Sequence, residues 1–463
     1  MPAETVTKGF SIEELGEVTG GRLLDSGQGG FNGVSTDTRT IRPGDCFFAI
    51  EGESFDGHNF VADAFEKGAA CAVVSRNINV ADKHTGPLLK VSDTVRALGD
   101  FAAWYRRKMN FKVIAVTGSA GKTTTKRIIH HILSRHFRVH QSPKNFNNFI
   151  GVPLTILGAG PEDEIIVAEI GASEAGEIAY LSDIASPDIA VITNVYPAHL
   201  EGFGSLENII REKISIHKGL RKGGRLFVNA KFDELILACE NQNVDFITFG
   251  TDPLSHIKAE RISHSAFCAN FIIEGVEALL PLPGKGNLDN ALAAWAVCKE
   301  LGISAGDFAD ALKSFTAIAQ RTEIQNTGSL IIINDCYNAN PASMENAIDI
   351  LNKLGEGTNR RLVFICGDMA ELGPEALEFH KQLGSMVADS DIRVLLTVGE
   401  FARIAAERAK EKASSRLSIK SFSDTLSLCN NLKFFIKADD IILVKASRMI
   451  GLEKAVEKLI AQR

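Results

Sequence analysis

The 463-residue sequence has no apolar run long enough to cross a bilayer, no closely paired cysteines and no excess of basic residues. Each absence excludes a class of protein. A transmembrane helix needs about 20 consecutive apolar residues, so no membrane span is expected. The opening stretch, MPAETVTKGFSIEELGEV, lacks an apolar core behind a basic start, so no secretory leader is expected. The cysteines Cys46, Cys71, Cys239, Cys268, Cys298, Cys336, Cys366 and Cys429 are scattered without a CxxC pair, several inside apolar runs such as AACAVV and LVFICGD. Zinc sites and disulfide frameworks announce themselves by spacing; reduced core thiols in a cytoplasmic protein are the expectation here. A formal net charge of -7 argues against a nucleic-acid partner, because a phosphate backbone demands a basic face. A small anion is another matter, since a few Lys, Arg and backbone N–H donors bind phosphate within an acidic protein. Low-complexity tracts and short repeats are also lacking.

What is present is an apolar run, then glycine, then an amphipathic stretch, several times over. FKVIAVTGSAGKTTTKRIIHHIL, EIIVAEIGASEAGEIAYL, DIAVITNVYPAHL, RLVFICGDMAELG and VLLTVGEFARIAAERA share this form. Continuous Val/Ile/Leu runs of this length read as strands covered on both faces, and their alternation with helical patterns predicts an α/β protein with mainly parallel sheets. The length suits about three domains at roughly 100–200 residues each. Residues 1–93 form a small α/β unit with short strands, 94–320 a central parallel-sheet unit, and 321–463 a second, Rossmann-like α/β unit opening with SLIIINDCY.

The strand KVIAV runs into Gly118-Ser119-Ala120-Gly121-Lys122-Thr123-Thr124, with a helical pattern after it. Glycines let a backbone wrap closely around phosphate oxygens, and the helix N-terminus adds oriented N–H donors. Lys122 is placed to reach the β- and γ-phosphates of a nucleotide, and the Thr123 hydroxyl to ligate Mg²⁺. Val116 stands where the usual phosphate-loop pattern begins with glycine, so the loop starts at Gly118. The loop alone does not choose between ATP and GTP. Mg²⁺ needs oxygen ligands, and two strand ends offer candidates: Glu169 after IIVA, and His199 in NVYPAHLEGFG. Ligands gather at the carboxyl ends of strands in open α/β sheets. Read by themselves, Glu169 also suits a solvated loop, His199 a packed or surface histidine, and Lys213 in NIIREKISIHKGL a solvated helix lysine.

The segments TGSAGKTTTK, NFNNFIGVPLTIL and NVYPAHLEGFGSLENIIREK together resemble the Mur ligase family. NDCYNANPASMENAI, GDMAELG followed by His380, and VKASRMIGLE resemble the branch that adds D-alanyl-D-alanine to a UDP-N-acetylmuramoyl-tripeptide. The resemblance runs in order along nearly the whole chain. It implies an N-terminal domain that binds the UDP substrate, a central phosphate-loop ATPase domain and a C-terminal domain that receives the dipeptide. Ser35, Asp37 and Arg39 of STDTR, and Asp56, Gly57 and His58 of FDGHNF, would contact the UDP substrate, as would Asn145, Asn147 and Asn148. The loop Gly118–Thr124 would hold ATP. Thr123, Glu169 and His199 would hold Mg²⁺. Lys213 aligns with a lysine that such enzymes carbamylate, a reaction that needs a neutral amine and hence a lowered pKa. Asn287, Asn290, Arg321, Asp335 and Asn338, with Tyr337 beside them, would complete the nucleotide site; Asn340, Lys445, Ser447 and Arg448 would hold the dipeptide, whose carboxylate suits a fixed cation. Gly286, Ser215, Ala446 and Glu174 depart from the residues common at those family positions.

The implied activity is ligation through an acyl phosphate, by a monomer, in the cytoplasm. A relative that adds meso-diaminopimelate or lysine, a folylpolyglutamate-type ligase and a nucleotide switch or plain ATPase are the rivals. YNANP and the STDTR domain weigh against the first two, and the dedicated N-terminal domain against the last.

Overall fold

The structure, a computed structural model, describes residues 9–24, 29–52, 55–78, 86–413 and 416–461. Residues 1–8, on which the no-leader expectation partly rests, lie outside the described residues.

The central sheet has seven strands, in the spatial order Ile257–Lys258, Ile247–Gly250, Arg225–Asn229, Ile189–Ile192, Lys112–Thr117, Ile165–Glu169, Val139–Gln141. Every pairing is parallel. Sequence alternation explains why both faces are covered. Val113 and Ala115 enter one apolar core with helices Thr94–Lys108, Gly151–Gly158 and Glu177–Ala185; Ile114 and Val116 enter another with helices Lys122–Leu133 and Lys285–Glu300. The second core is anchored by Trp295, whose ring meets Phe308 edge-on at 5.1 Å; fully burying a side chain of this kind contributes about 2–3 kcal/mol. Strand Lys112–Thr117 lies between strands that come later in the chain on both sides, so the order reverses there. A crevice opens at such a switch point, outside the strand ends.

Two further sheets flank this layer. The N-terminal sheet runs Arg22–Leu23, Leu88–Lys90, Cys71–Val74, Asp45–Phe48, Gly33–Ser35, parallel except for the first pair. The C-terminal sheet runs Glu323–Asn326, Ile331–Asn334, Ile441–Lys445, Leu362–Gly367, Ile392–Val398, Ser418–Phe422, again parallel except for the first pair. Before it opens, an antiparallel meander of Glu260–His264, Ala269–Ile273 and Val276–Leu280 packs onto the second central core.

Helix Thr94–Lys108 joins the first two units rather than merely linking them. Asp93 caps it, accepting from the N–H groups of Val95 (2.8 Å) and Arg96 (2.9 Å). Phe10 of the N-terminal unit packs against Phe101 and Tyr105 of this helix, at 5.2 and 5.3 Å between rings. Buried Arg106 donates to the carbonyls of Phe111 and Ala185 and pairs with Asp188 at 2.8 Å, fixing the helix to the central sheet. All eight cysteines are free thiols.

Candidate active site

The phosphate loop fills the crevice at the switch point. Its two glycines are required by geometry. Gly118 has φ +147°, and a Cβ there would lie 2.0 Å from Thr193 Oγ1; Gly121 has φ +78°, and a Cβ there would lie 2.0 Å from Asn290 Oδ1. Side chains from the end of the next strand hold the turn. Ala120 N donates to Asn194 Oδ1 at 2.8 Å, while Asn194 Nδ2 (2.9 Å) and Thr193 Oγ1 (2.7 Å) donate to Ala120 O. Ser119 Oγ donates to Tyr196 O and accepts from Tyr196 N. Thr193 and Asn194 are absent from the sequence reading. Their only local signal is their place at the end of IAVI, the adjacent strand. Lys122 lies back across the loop and donates to Gly118 O at 2.8 Å. Burial lowers its pKa, with Glu169 opposing.

Thr123 and Glu169 meet at the mouth of the crevice. Glu169, 1% exposed, accepts from Thr123 Oγ1 at 2.9 Å on Oε2 and from Asn147 Nδ2 at 2.9 Å on Oε1. A second lysine joins them. Lys126 Nζ lies 3.3 Å from Glu169 Oε2 and donates to the carbonyls of Ser142 (2.9 Å) and Lys144 (2.7 Å). Burial alone would push the Glu169 carboxyl up, but the charges of Lys126, Lys122 and Arg321 and the Thr123 hydrogen bond hold it below its ordinary value. A hydroxyl and an ionised carboxylate 2.9 Å apart are hard oxygen donors, and they fit Mg²⁺. Asn148 instead accepts from Gly151 N at 2.9 Å in the turn that leads into helix Gly151–Gly158. Asn145 is exposed.

Lys213 is no solvated helix lysine. It ends helix Leu206–Ile214 buried, with Nζ 5.6 Å from the centre of the Phe203 ring and no carboxylate partner among the described residues. Its apparent neighbour Glu212 is spent elsewhere, accepting from the N–H groups of Gly176 and Ile178 at 2.7 Å each at the start of helix Glu177–Ala185. Burial, then the nearby Lys122 charge, lowers the Lys213 pKa to about 7, with Glu212 and Glu177 opposing. Ser215 Oγ donates to Glu212 O. His199 stands at a left-handed φ of 54°, its Nδ1 against Glu371 Oε2 of the C-terminal unit.

At the start of helix Lys285–Glu300, Asn290 accepts from Thr125 Oγ1 at 3.3 Å beneath Gly121, and Asn287 Nδ2 donates to Pro283 O at 2.8 Å. Across the cleft, Arg321 stacks on Tyr337 at 4.0 Å, and Arg448 approaches the same ring at 5.6 Å. Arg448 also donates to Gln320 Oε1 at 2.9 Å. Below them, Lys445 Nζ reaches Asp335 Oδ2 at 2.6 Å and Asn338 O at 2.9 Å, and Asp335 Oδ1 accepts from Thr322 N at 2.9 Å. Ser447 Oγ accepts from Ala370 N. Asn340 caps helix Pro341–Gly355, accepting from Ser343 N at 2.8 Å. Arg321 and Arg448 therefore bring two cations to one aromatic ring, while Lys445, Asp335, Asn338 and Asn340 brace the loops behind.

The other predicted contacts sit on the N-terminal sheet. Asp37 holds Arg39 through both carboxylate oxygens, at 2.9 Å to Nε and 2.7 Å to Nη2, leaving the arginine exposed. Ser35 Oγ donates to Asp37 O. Asp56 accepts from His58 N and Nδ1 and pairs with Arg76; His58 Nε2 accepts from Ser75 N at 3.0 Å. Gly57 permits a close backbone approach, since a Cβ there would lie 2.7 Å from Ile50 N.

Comparison with known proteins places this geometry in context. Residues 30–106 match the Mur ligase family catalytic domain, 116–298 the Mur ligase middle domain, and 320–448 the Mur ligase glutamate ligase domain. The chain is 37% identical to the UDP-N-acetylmuramoyl-tripeptide–D-alanyl-D-alanine ligase of Bacillus subtilis (strain 168), over 97% of this chain and 98% of that one. It is 34% identical to the Escherichia coli (strain K12) protein of the same name over the same shares. Among solved structures, MurF from Acinetobacter baumannii superposes with TM-score 0.89 at 31% identity, over 98% of this chain and all of that one. MurF ligase from Thermotoga maritima, solved in complex with ADP, superposes with TM-score 0.78 at 27% identity, over 93% and 97%.

Proposed function

The chain belongs to the Mur ligase family, and from that premise we propose how its residues join D-alanyl-D-alanine to a UDP-N-acetylmuramoyl-tripeptide at the expense of ATP. The observation that carries the assignment of roles is the convergence of Lys122, Thr123, Glu169 and a near-neutral, buried Lys213 on one crevice.

ATP lies with its phosphates in the loop Gly118–Thr124, where backbone N–H groups and the helix N-terminus face its charge. Lys122 exchanges its hydrogen bond to Gly118 O for the phosphate oxygens. The nucleoside end extends toward Asn287 and Asn290, with Asp335 and Asn338 on the opposing wall. Thr123, Glu169 and His199 would hold Mg²⁺, which when bound would offset the charge on the phosphates. Lys213, whose pKa burial lowers to about 7, would add CO₂ through its neutral amine with release of a proton, and the carbamate would offer an anionic oxygen to a cation. The tripeptide, carried by its UDP end on Ser35, Asp37, Arg39, Asp56, Gly57 and His58, presents its terminal carboxylate near Asn145, Asn147 and Asn148.

A carboxylate oxygen attacks the γ-phosphorus, ADP leaves, and an acyl phosphate forms. Lys122 and Arg321 stabilise the charge in flight. The free amine of the dipeptide then attacks the acyl carbon, the C–O bond breaks, and phosphate departs with its bridging oxygen. Asn340, Ser447 and Arg448, with Lys445 behind them, orient the dipeptide. The enzyme supplies positioning and electrostatics, so closure that excludes water protects the acyl phosphate from hydrolysis. Among the described residues no helix is long and apolar enough to cross a membrane, and we place the reaction in the cytoplasm, where ATP is available.

The test is a phosphate-release assay with ATP and UDP-N-acetylmuramoyl-tripeptide, each candidate amine added singly and the product identified by mass. Release that requires D-alanyl-D-alanine supports the reading. Release with meso-diaminopimelate in its place, or with no amine, overturns it.

A further inference from the structure

The C-terminal unit touches the proposed metal site through one acidic side chain that the mechanism above does not use. Loop Gly367–Gly373, at the end of strand Leu362–Gly367, docks on residues 199–203 of the central unit. Met369 and Leu372 share a buried core with Leu200 and Phe203. Glu201 N donates to Glu371 O at 3.3 Å, and a Cβ on Gly373 would lie 3.3 Å from Glu201 Cα. This contact carries the Glu371 carboxylate onto His199 Nδ1. Both residues of the pair hold left-handed backbone, with φ of 54° at His199 and 61° at Glu371. Residues with a Cβ adopt that region rarely and only where surrounding structure imposes it. Two such positions facing each other across a domain boundary mark a contact that the fold maintains at a cost.

We infer that Glu371 is a positioning residue for His199, donated by the C-terminal unit to the metal site of the central one. A carboxylate on Nδ1–H fixes the ring orientation and leaves Nε2 with its lone pair free for a cation. The site is therefore complete only when loop Gly367–Gly373 is docked, so metal affinity reports closure of the C-terminal unit. This inference rests on the reading of His199 as a metal ligand.

The experiment uses the full chain with ADP, Mn²⁺ as the probe and free Mn²⁺ counted by electron paramagnetic resonance. ¹⁵N signals of the His199 ring are read in parallel in the metal-free protein. His199→Ala weakens Mn²⁺ binding. Glu371→Ala weakens it by about 10-fold, the low end for loss of a carboxylate behind a metal-bound histidine, and the ring changes from a fixed Nδ1–H form to a mixture. Glu371→Gln, whose amide oxygen still accepts from Nδ1–H, restores most of the affinity and the ring signals. Wild-type affinity in His199→Ala removes the ligand reading and this inference with it. A loss in His199→Ala beside wild-type affinity in Glu371→Ala overturns the role of Glu371 alone. So does weakened binding in Glu371→Ala with the ring signals unmoved, which is the mark of a merely structural contact.

Discussion

Replacing Lys126 with Met takes a buried cation away from a buried carboxylate. Its Nζ lies 3.3 Å from Glu169 Oε2 and donates to the carbonyls of Ser142 and Lys144 at 2.9 and 2.7 Å. The variant leaves those three acceptors without that donor. Removing one partner of a buried ion pair costs about 3–5 kcal/mol, and an orphaned carbonyl adds roughly 1 kcal/mol where water does not reach it. Lys144 is exposed, so water takes over at its carbonyl, and the pair plus the buried Ser142 carbonyl give a net destabilisation of about 4–6 kcal/mol. In a unit of this size each kcal/mol lowers the unfolding midpoint by about 2–4 °C, giving a fall of roughly 8–24 °C. Scanning calorimetry, with the transition of the central unit resolved from the others, reads it directly. Adding Glu169→Gln removes the stranded charge; the amide oxygen still accepts from Asn147, and the amide nitrogen donates to the Thr123 hydroxyl, which can accept as well as donate. The double variant should therefore recover most of the loss, since replacing both members of a buried pair is often near neutral. A wild-type transition in Lys126→Met, or a double variant less stable than either single one, would refute the reasoning.

Lys122→Ala should lower turnover by about 10²–10³-fold, the effect of losing one donor to transition-state charge, with an unchanged circular-dichroism profile; near-wild-type turnover contradicts the phosphate role. Gly121→Ala forces a Cβ to within 2.0 Å of Asn290 Oδ1 at φ +78°, and the displaced loop should cost about 100-fold in kcat, measured at saturating substrates. For Lys213 the folded pKa of about 7 lies below the ordinary 10.5, so between those values the unfolded chain binds one more proton. Its contribution to stability therefore rises with pH across that window. Carbamate on Lys213, followed by ¹³C NMR with ¹³CO₂, should likewise increase as pH rises through about 7. Lys213→Ala that stays fully active at every bicarbonate level rules the carbamate out.

The phosphate loop was legible because its signal is local: a strand, two glycines with a lysine and threonine, and a helix, all within one short stretch. The parallel sheets were legible for a similar reason, since a strand covered on both faces reads as one continuous apolar run. Lys126 was not, because a lysine one helical turn after Lys122 looks like an ordinary solvated position until the strand carrying Glu169 is beside it. Lys213 misled in the same way: its helix buries it, and nothing within the helix says so. Thr193 and Asn194 brace a turn more than seventy residues earlier in the chain, a contact only the topology creates. Asn340 carries the side chain favoured at a helix cap, and it does cap a helix, so its sequence signal is divided between structure and chemistry. The meander Glu260–Leu280 went unread because its strands are short, one pairing is irregular and only one face is buried.

The most direct measurement labels both oxygens of the tripeptide's terminal carboxylate with ¹⁸O and follows the label during ligation. Attack on the γ-phosphorus through that carboxylate delivers one ¹⁸O into each phosphate released, read by mass or by the ³¹P isotope shift. Unlabelled phosphate accompanying amide formation would contradict an acyl-phosphate route at this crevice.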